Sequence, residues 1–369
     1  MRVDAQFFGL DRTGGTLVAL HYLERALDRG DDVHITTLGT SDDRRFVPPP
    51  AGATTTFVGL RRPLYRGLAR LTPGDLAFPR WELRRLRAAA GPADLRLATY
   101  TFTVLSSVDL GAPVLHHAQH METLLEPTER RRRLIEDGLR ADVYRTANCT
   151  WVAEQIESVG GTVQGIVSPG IDLSVFRPDD AGDERRVGRE PGSPIRIVTL
   201  GKAVEWKGLT DVLAASTALS STRPVHLTTY GPDRPASPPG VEHEHLGFIG
   251  TDRLAEAYRS ADVCVLGSWY ESFPLPPLEA MACGTPVVCT RLGTEDYAVH
   301  EHNCLIVPAR DPEAIAAAVA RLCDDGDLRD ELVVNGLATA ARHDSAAADA
   351  AFLEHVDRAA GLRPASSRH

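Results

Sequence analysis

Hydrophobic positions along the chain follow two periods, one typical of buried strands and one typical of amphipathic helices. Short apolar runs such as VDAQFF, VHITTL and IRIVTLG are each followed by a polar or glycine-bearing loop. Longer stretches such as TLVALHYLERALDRG then carry apolar residues at helical spacing, at Leu20, Leu23 and Leu27, and end at Gly30. Strands that alternate with helices predict parallel sheets covered by helices on both faces.

This alternation occurs twice along the chain, on either side of a polar segment. Residues 179–194, DDAGDERRVGREPGSP, are rich in charge, glycine and proline, which is typical of a linker. We therefore predict an α/β protein with two Rossmann-like, doubly wound domains facing a cleft. The N-terminal domain is expected over residues 1–178 and the C-terminal domain over 179–344. A helix at about 345–360 is expected to pack back on the first domain.

Composition and charge exclude several classes of protein. The 369 residues are 43% hydrophobic and 24% charged, which is typical of a soluble globular protein. The net charge of −10 argues against nucleic acid as the main partner. No apolar run reaches membrane-spanning length, and the N-terminus lacks a signal-peptide pattern. Six cysteines without CxxC pairs or zinc spacing predict free core thiols in a reducing cytoplasm and no metal site.

Lysine is rare and its two occurrences lie together. Only Lys202 and Lys207, both in GKAVEWKG, interrupt a cationic set that is otherwise arginine. Lys202 directly follows the strand IRIVTLG, and Lys207 begins the next helix, so both are expected where ligands of doubly wound sheets bind. An ammonium group is a compact charge suited to a pyrophosphate that gains charge during reaction. The alternative interpretation is a pair of surface lysines on a turn.

Two glutamates bracket a predicted anion-binding site in ESFPLPPLE. Glu271 is expected at the end of the strand VCVLGS, and Glu279 in the first turn of the helix that follows. Backbone N–H groups near Phe273, Pro274 and Leu275 would bind the anion together with the helix N-terminus. The carboxylates suit the recognition of neighbouring hydroxyls, as on a ribose or a hexose. Alternatively, Glu279 is only a carboxylate favoured by the helix dipole.

These motifs resemble those of a known enzyme family. ESFPLPPLE is similar to the E-x7-E signature of the retaining GT-B glycosyltransferases of family 4, the glycosyl transferases group 1. GKAVEWKG resembles the donor-phosphate motif of that family, with lysine at 202 where arginine is usual. GLDRTGGTLVALHYLERALDRGDDVHITT, VSPGIDLSVFRP and HLGFIGTDRLAEAYRSADVCVLGS resemble other segments of the family. The resemblance therefore spans nearly the whole chain, and its second half is the more specific.

The resemblance implies a nucleotide-sugar donor bound mainly by the C-terminal domain and an acceptor held mainly by the N-terminal domain. Transfer would proceed with retention, without a cofactor and usually without a metal. Lys202 and Lys207 would hold the donor pyrophosphate, Glu279 the ribose hydroxyls and Glu271 the donor sugar. The loop YGPD keeps only Gly231 of the family's G-x-G pattern, so base contacts there are undefined.

The first half supplies weaker candidates. The resemblance implies that Gly14 and Gly15 let the opposite loop approach the phosphates closely, which a Cβ would hinder. In APVLHHAQHME, family members often place a histidine against the donor sugar. The strand is expected to end near His117, so His120 and His117 are the better candidates, although the three histidines do not align uniquely. Each could instead cap or pack. His120, His117, Glu271 and Lys207 are thus the expected catalytic residues.

Residues 61–90 form a basic, partly apolar region with eight arginines. This region could contact an anionic membrane or a charged acceptor, which would place a cytoplasmic protein at the inner face of the membrane. A solvated surface in an arginine-rich protein is the simpler interpretation.

The predicted function is transfer of a hexosyl or deoxyhexosyl group from a nucleotide sugar to an acceptor hydroxyl. The acceptor is open among a glycan, a lipid-linked sugar and a natural-product aglycone. A nucleotide-sugar epimerase of the same fold is one alternative, which the E-x7-E signature argues against. A catalytically silent nucleotide-sugar-binding protein is the other, and the presence of both glutamates and both lysines argues against it.

Overall fold

The computed structural model describes residues 1–38, 46–59, 77–124, 126, 128–179 and 192–361. Most of the expected linker, at 180–191, and residues 61–76 of the basic region lie outside this part of the chain. The chain divides into two compact units. Unit 1 contains Met1–Ser168 and the chain from Ala348 onward, and unit 2 contains Pro169–Ala347.

Unit 1 is built on a parallel sheet of seven strands within the described residues, in the order β3-β2-β1-β4-β5-β6-β7. The strands are β1 (Arg2–Phe7), β2 (Asp32–Thr37), β3 (Thr54–Phe57), β4 (Leu95–Ala98), β5 (Val114–Ala118), β6 (Tyr144–Ala147) and β7 (Gly165–Ile166). The helices between them are α1 (Gly14–Asp28), α2 (Ala77–Ala89), α3 (Thr101–Ser107), α4 (Glu129–Arg140) and α5 (Thr150–Ser158).

Unit 2 repeats the plan with a six-stranded parallel sheet, counted over the described residues, in the order β10-β9-β8-β11-β12-β13. Its strands are β8 (Ile195–Leu200), β9 (Val225–Tyr230), β10 (Glu242–His245), β11 (Val263–Leu266), β12 (Val287–Thr290) and β13 (Leu305–Val307). Its helices are α6 (Leu209–Ser220), α7 (Thr251–Ser260), α8 (Leu275–Ala282), α9 (Pro312–Asp324) and α10 (Gly326–Ala340), and α11 (Ser345–Ala359) continues into unit 1.

Burial explains why the strands read as continuous apolar runs rather than as alternating ones. Every residue of β4, β5, β11 and β12 is buried, because helices cover both faces of each sheet. The prediction of two doubly wound α/β domains is therefore confirmed. Helix α9 begins at Pro312 with Asp311 as its N-cap, since the Asp311 carboxylate accepts the N–H of Ala314 at 2.9 Å.

The final helix, α11, packs against the core of unit 1. Phe352 of α11 stacks on Tyr22 of α1, with ring centroids 4.2 Å apart and planes 6° from parallel. Asp349 pairs with His21 at 2.8 Å. The division after Ser168 comes earlier than the expected boundary at 178, because the following residues pack on unit 2. Phe176, for example, contacts Tyr258 of α7.

The structure contains two strands that the pattern did not predict. β7 has only two residues, and β10 has the polar sequence EHEH at the edge of its sheet. The ring nitrogens of His243 and His245 share the hydroxyl of Thr229, each at 2.9 Å. Side-chain hydrogen bonds thus replace the apolar burial that identifies the other strands.

Two further features concern the state of the cysteines and the apolar character of the helices. All six cysteines are free, and five of them are buried. Across the described ranges, none of the helices has the length and apolar character needed to cross a bilayer.

Candidate active site

Charged side chains collect at the carboxyl edge of the second sheet, where β8 and β11 are neighbours. The chain continues from β8 to β9 on one side and from β11 to β12 on the other. Such a reversal of strand order creates a crevice at the ends of the two strands, where ligands of doubly wound sheets bind. Lys202 and Lys207 follow β8 and Glu271 follows β11, so the structure brings these predicted groups to one edge.

The loop that carries Lys207 packs directly against the end of β11. Gly208 follows Lys207 with a φ of 60°, and a Cβ there would overlap the carbonyl oxygen of Gly267. Only glycine fits this left-handed position without strain. The N–H of Trp269 donates to the carbonyl of Trp206 at 2.7 Å. These backbone contacts hold the two loops together and fix where Lys207 lies.

Lys207 and Glu271 form an ion pair with two hydrogen bonds. The Nζ of Lys207 lies 2.6 Å from Oε1 and 2.7 Å from Oε2 of Glu271. The two side chains are only 16% and 15% exposed. The Ser268 hydroxyl donates a third hydrogen bond to Oε1 at 2.8 Å. Charge-assisted hydrogen bonds of this kind are about twice as strong as neutral ones.

The backbone of Glu271 is also fixed. Its N–H donates to the carbonyl of Leu292 at 3.1 Å. Gly293 has a φ of 95°, and a Cβ there would overlap the carbonyl of Glu271. The carboxylate is therefore oriented both by its main chain and by Ser268.

The ion pair unites two groups that the sequence assigned to different parts of a donor. Phosphate oxygens can take the place of the carboxylate around an ammonium group, because both are anionic acceptors. A carboxylate released from that ammonium can accept hydrogen bonds from hydroxyls. Lys207 and Glu271 together therefore suit a ligand that carries phosphate next to a hydroxyl-bearing ring.

Glu279 lies in the second turn of α8, not in the first. The helix begins at Leu275 because Pro274 takes the N-cap position, so Glu279 is its fifth residue and the expectation of a first-turn carboxylate is wrong. The Tyr258 hydroxyl donates to Oε2 of Glu279 at 2.9 Å. Burial raises the pKa of the Glu279 carboxyl to about 7, and the hydrogen bond from Tyr258 opposes this rise.

Residues 273–275 supply fewer N–H donors than an ordinary helix start. Pro274 has no N–H, and its carbonyl accepts the Tyr297 hydroxyl at 2.8 Å. Two more prolines follow Leu275, the first residue of α8. The Phe273 ring is buried against Tyr297 and His343, with centroids 5.3 and 5.7 Å away. The predicted anion-binding site thus contains the amides of Phe273 and Leu275, while Pro274 shapes the backbone.

Lys202 lies in a loop that the neighbouring β9 loop holds in place. The Asp233 carboxylate accepts the N–H of Ala203 at 2.8 Å, and the N–H of Asp233 donates to the carbonyl of Gly201 at 3.0 Å. Asp233 belongs to the YGPD stretch, where this chain departs from the family pattern. In this protein the loop therefore supports the backbone beside Lys202.

Gly14 and Gly15 are the first two residues of α1 rather than part of the preceding loop. Thr13 is the N-cap, and its hydroxyl accepts the N–H of Thr16 at 3.3 Å. A Cβ at Gly14 would have no neighbour within 4 Å, and one at Gly15 would meet only the Gln119 side chain, at 3.5 Å. The protein itself leaves room for larger residues at both positions, so packing does not explain the two glycines.

His117 lies inside β5 and not at the open end of a strand, because β5 continues to Ala118. It is 2% exposed, its Nδ1 is 2.9 Å from the Thr146 hydroxyl, and its ring packs edge-on against Tyr22 and Phe352. Burial lowers the pKa of His117 to about 3. The expectation that His117 meets the sugar is therefore corrected, since this histidine belongs to the core.

His116 and His120 are the other two histidines of the stretch APVLHHAQHME. His116 is also buried in β5, and its Nδ1 accepts the Nε–H of Arg145 at 3.0 Å. His120 is half-buried and follows the strand β5, so of the three histidines it is the one that stays a candidate for contact with the donor sugar. Near the same edge, Phe8 contacts Tyr100 and Phe102, each at a centroid distance of 5.6 Å.

Glu122 is a buried carboxyl whose role the sequence did not indicate. It is 5% exposed, and its Oε1 accepts the N–H of Thr101 at 2.9 Å. Burial raises the pKa of Glu122 to about 8, and the hydrogen bond from Thr101 limits the rise. The folded protein therefore retains a proton at neutral pH that an unfolded chain releases near its ordinary pKa of 4.5.

This proton makes the stability of unit 1 depend on pH. Between pH 4.5 and about 8 the folded state binds one more proton than the unfolded state, so stability falls as the pH rises. The slope is at most about 1.4 kcal/mol per pH unit. We expect Glu122→Gln to raise the melting temperature at pH 8 by several degrees and to change it little at pH 5. Differential scanning fluorimetry across this range measures it.

The exposed Glu129, which pairs with Arg133 on α4, supplies the matched control. Glu129→Gln should give the same small change at both pH values. A Glu122→Gln shift that is equal at pH 5 and pH 8 would contradict the assignment of a retained proton.

The sequence did not single out three polar groups, which are Ser268 and Tyr258 in unit 2 and Glu122 in unit 1. Ser268 is completely buried and contacts Glu271 from the end of β11. Tyr258 and Glu122 contact groups that are distant in the sequence. The one available hint was a polar residue close to the end of a buried strand, and it applies to Ser268 alone, two residues after β11. In the described ranges no group of three or more His, Cys, Asp and Glu residues could hold a metal ion.

Known proteins resemble this chain in sequence. Residues 194–325 match the family model described as glycosyl transferases group 1. A D-inositol 3-phosphate glycosyltransferase of Acidothermus cellulolyticus is 33% identical over 243 residues, which are 58% of this chain and 53% of the relative. The chain thus spans about half the length of this curated relative.

Solved structures resemble the chain over nearly its whole length. A sucrose-phosphate synthase from Thermosynechococcus elongatus aligns with a TM-score of 0.76 at 19% identity, covering 97% of this chain and 98% of that one. HepE of Anabaena, in complex with UDP-glucose, aligns with a TM-score of 0.72 at 15% identity, covering 97% and 100%. At such identities the likeness establishes the fold.

The chain has the GT-B fold, in which two doubly wound sheets each contain a reversal of strand order. Residues 194–325, which carry Lys207, Glu271 and Glu279, are similar to the glycosyl transferases group 1 family.

Proposed function

We propose that the protein is a retaining glycosyltransferase that moves a sugar from a nucleotide-sugar donor to an acceptor hydroxyl. The observation that carries this proposal is the Lys207–Glu271 pair at the strand-order reversal of unit 2, with Glu279 on the next helix. A cation for phosphate and two carboxylates for hydroxyls match the parts of a nucleotide sugar.

Each part of the donor has a candidate partner. Lys202 and Lys207 hold the pyrophosphate, with the amides of Phe273 and Leu275. Glu279 binds the ribose hydroxyls. Glu271 binds the sugar once the Lys207 ammonium has left it and contacts the donor phosphate. The base, the sugar and the hexosyl or deoxyhexosyl preference stay open. The UDP-glucose bound by HepE makes uridine donors the first to test.

The reaction needs charge stabilisation at the leaving group. Cleavage of the bond between the anomeric carbon and the donor phosphate oxygen leaves the electron pair on the phosphate. Lys207 meets this charge as it develops, which is where preorganised electrostatics lower the barrier most. The acceptor hydroxyl bonds to the anomeric carbon on the same face, and its proton passes to the leaving phosphate oxygen. Two lysines supply the positive charge, so we propose that neither a metal nor a cofactor is needed.

Unit 1 is the proposed location of the acceptor. His120 follows β5 and Gly14 and Gly15 follow β1 at the carboxyl edge of its sheet, and Tyr100, which is 37% exposed, follows β4 at the same edge. A glycan end, a lipid-linked sugar and a natural-product aglycone remain the acceptor classes, and the relatives named for D-inositol 3-phosphate add that compound to the panel. A cytoplasmic location with peripheral membrane contact through residues 61–90 is proposed on their arginine content.

The test incubates the protein with uridine, guanosine and adenosine diphosphate sugars, with and without each acceptor, and measures nucleotide release. Acceptor-dependent release supports the proposal, and the anomeric configuration of the product, read by NMR, tests retention. Conversion of the donor sugar without acceptor would indicate an epimerase. Donor binding without any turnover would indicate a silent binding protein. Added EDTA should leave the rate unchanged.

A further inference from the structure

A chain of two buried tyrosines ends at the half-buried carboxylate of Glu279. The Tyr230 and Tyr258 hydroxyl oxygens are 2.7 Å apart, and the Tyr258 hydroxyl lies 2.9 Å from Oε2 of Glu279. Tyr258 is completely buried and Tyr230 is 8% exposed. Three elements contribute, since Tyr230 ends β9, Tyr258 lies on α7 and Glu279 lies on α8.

The direction of the hydrogen bonds follows from the carboxylate. An ionised carboxylate only accepts hydrogen bonds, so Tyr258 must donate to Glu279. The oxygen of Tyr258 is then the acceptor for Tyr230. Each tyrosine therefore donates one hydrogen bond toward Glu279, and burying both hydroxyls without such partners would be costly.

Tyr258 has little freedom to adjust. Its carbonyl accepts the Thr285 hydroxyl at 2.7 Å, and its ring lies between Phe176 and Tyr230, with centroids at 6.2 and 6.0 Å. A side chain fixed in this way defines one position for the carboxylate that it contacts. One bond to Oε2 uses one of about four acceptor directions of a carboxylate, so others remain for a ligand.

We propose that Tyr258, held by Tyr230, is a positioning residue that orients the Glu279 carboxylate for the two ribose hydroxyls of the nucleotide. This inference rests on the proposed role of Glu279 in the donor site. Without the phenol, the carboxylate would have to be ordered by the ligand itself, which lowers affinity.

The same contact sets the pH at which Glu279 is ready to accept. Burial raises the pKa of Glu279 to about 7, and the hydrogen bond from Tyr258 lowers it. The titratable groups that face this cluster are Tyr230, Tyr258 and Cys264, and burial raises the pKa of each, so all three are neutral near pH 7. Ribose hydroxyls bind the ionised carboxylate better, so nucleotide affinity falls as the pH drops below about 7. Removal of the Tyr258 hydroxyl moves this fall to higher pH.

The experiment uses calorimetry between pH 6 and 9 to compare the binding of UDP, GDP and ADP with that of their 2′,3′-dideoxy counterparts. The variants are then titrated with the nucleotide pair that the wild-type protein binds most tightly. For Tyr258→Phe we expect affinity for the ribonucleotide to fall about tenfold at pH 8 and affinity for the dideoxynucleotide to stay unchanged. Tyr230→Phe should give a smaller loss of the same kind. The affinity of the dideoxynucleotide changes with pH only through the ionisation of its phosphates. Subtracting this pH profile from that of the ribonucleotide therefore gives the contribution of the Glu279 carboxylate. Tyr144→Phe, which removes a hydroxyl bonded to His355 in unit 1, is the matched control.

The outcomes separate two failures. If the wild-type protein binds both nucleotides equally, Glu279 does not read the ribose and the proposed donor site is wrong. If the wild type prefers the ribonucleotide and Tyr258→Phe keeps both that preference and its pH profile, the positioning role alone is wrong. Equal losses for both nucleotides would also overturn it, because they indicate structural damage. If Tyr258→Phe fails to fold, Tyr230→Phe provides the same comparison.

Discussion

Lys207→Ala is expected to lower kcat/KM for sugar transfer by about 100- to 1000-fold, with a much smaller loss of donor affinity. The negative charge that Lys207 meets grows as the bond to the donor phosphate breaks, so its contribution is larger in the transition state than in the bound donor. The loop geometry strengthens this expectation. The contact of Gly208 with Gly267 fixes the backbone beside Lys207 before any ligand binds, so only the Lys207 side chain has to move from Glu271 to the phosphate.

The substitution also removes the ion-pair partner of Glu271, so stability has to be measured together with rate. Steady-state kinetics with the best donor, and melting temperature, distinguish the two effects. Arg223→Ala is the matched control, because Arg223 pairs with Asp324 on the surface of unit 2 and should cost little. A kcat/KM of Lys207→Ala within threefold of the wild type would rule out the phosphate assignment.

Glu271→Gln and Glu279→Gln are expected to have opposite effects on nucleotide binding. Glu279→Gln should weaken affinity for the nucleoside diphosphate, since ribose is part of that ligand. Glu271→Gln should lower transfer by about 100-fold and leave nucleotide affinity at least as high as in the wild type. The ion pair supplies the reason, because an amide at 271 competes with phosphate for Lys207 less strongly than a carboxylate does.

Calorimetric titration of both variants with nucleoside diphosphate, beside transfer rates with intact donor, measures this difference. The two variants serve as controls for each other, because both replace a glutamate near the same strand ends with its amide. Equal losses of nucleotide affinity, or a greater loss for Glu271→Gln, would mean that the roles of the two carboxylates are reversed.

The sheets were predictable because their strands are buried on both faces, and such strands appear as short apolar runs. β11 and β12 are fully buried, and β11 matches the predicted strand VCVLGS closely. β10 was not predicted because it lies at the edge of the sheet, where hydrogen bonds between Thr229 and two histidines replace apolar contacts. Periodicity therefore reports burial and misses a strand that is held by its polar groups.

The errors at the candidate site are errors of one turn or one residue. Glu279 was expected in the first turn of its helix, yet α8 begins at Leu275, which makes Glu279 its fifth residue. His117 was expected at the end of its strand, and a single further strand residue keeps it within the core. Hydrophobic patterns place elements well, but where they end depends on caps and on packing that lies elsewhere in the chain.

The contact between Lys207 and Glu271 could not be read from the sequence in any form. The residues are 64 positions apart, and their meeting depends on β8 and β11 being neighbours in the sheet. Each motif predicted a charged group at a strand end. Only the strand order shows that the two groups meet.

The return of α11 to unit 1 has a consequence for building hybrid proteins. Phe352, Val356 and Ala359 belong to the same hydrophobic core as β1 and α1, although they are far from them in the sequence. A hybrid that takes unit 1 from one homologue and unit 2 from another must therefore exchange the tail together with residues 1–168. A single crossover would combine a core from one parent with a helix selected to fill the core of the other. Two crossovers, after Ser168 and near Ala348, keep each core with its own side chains.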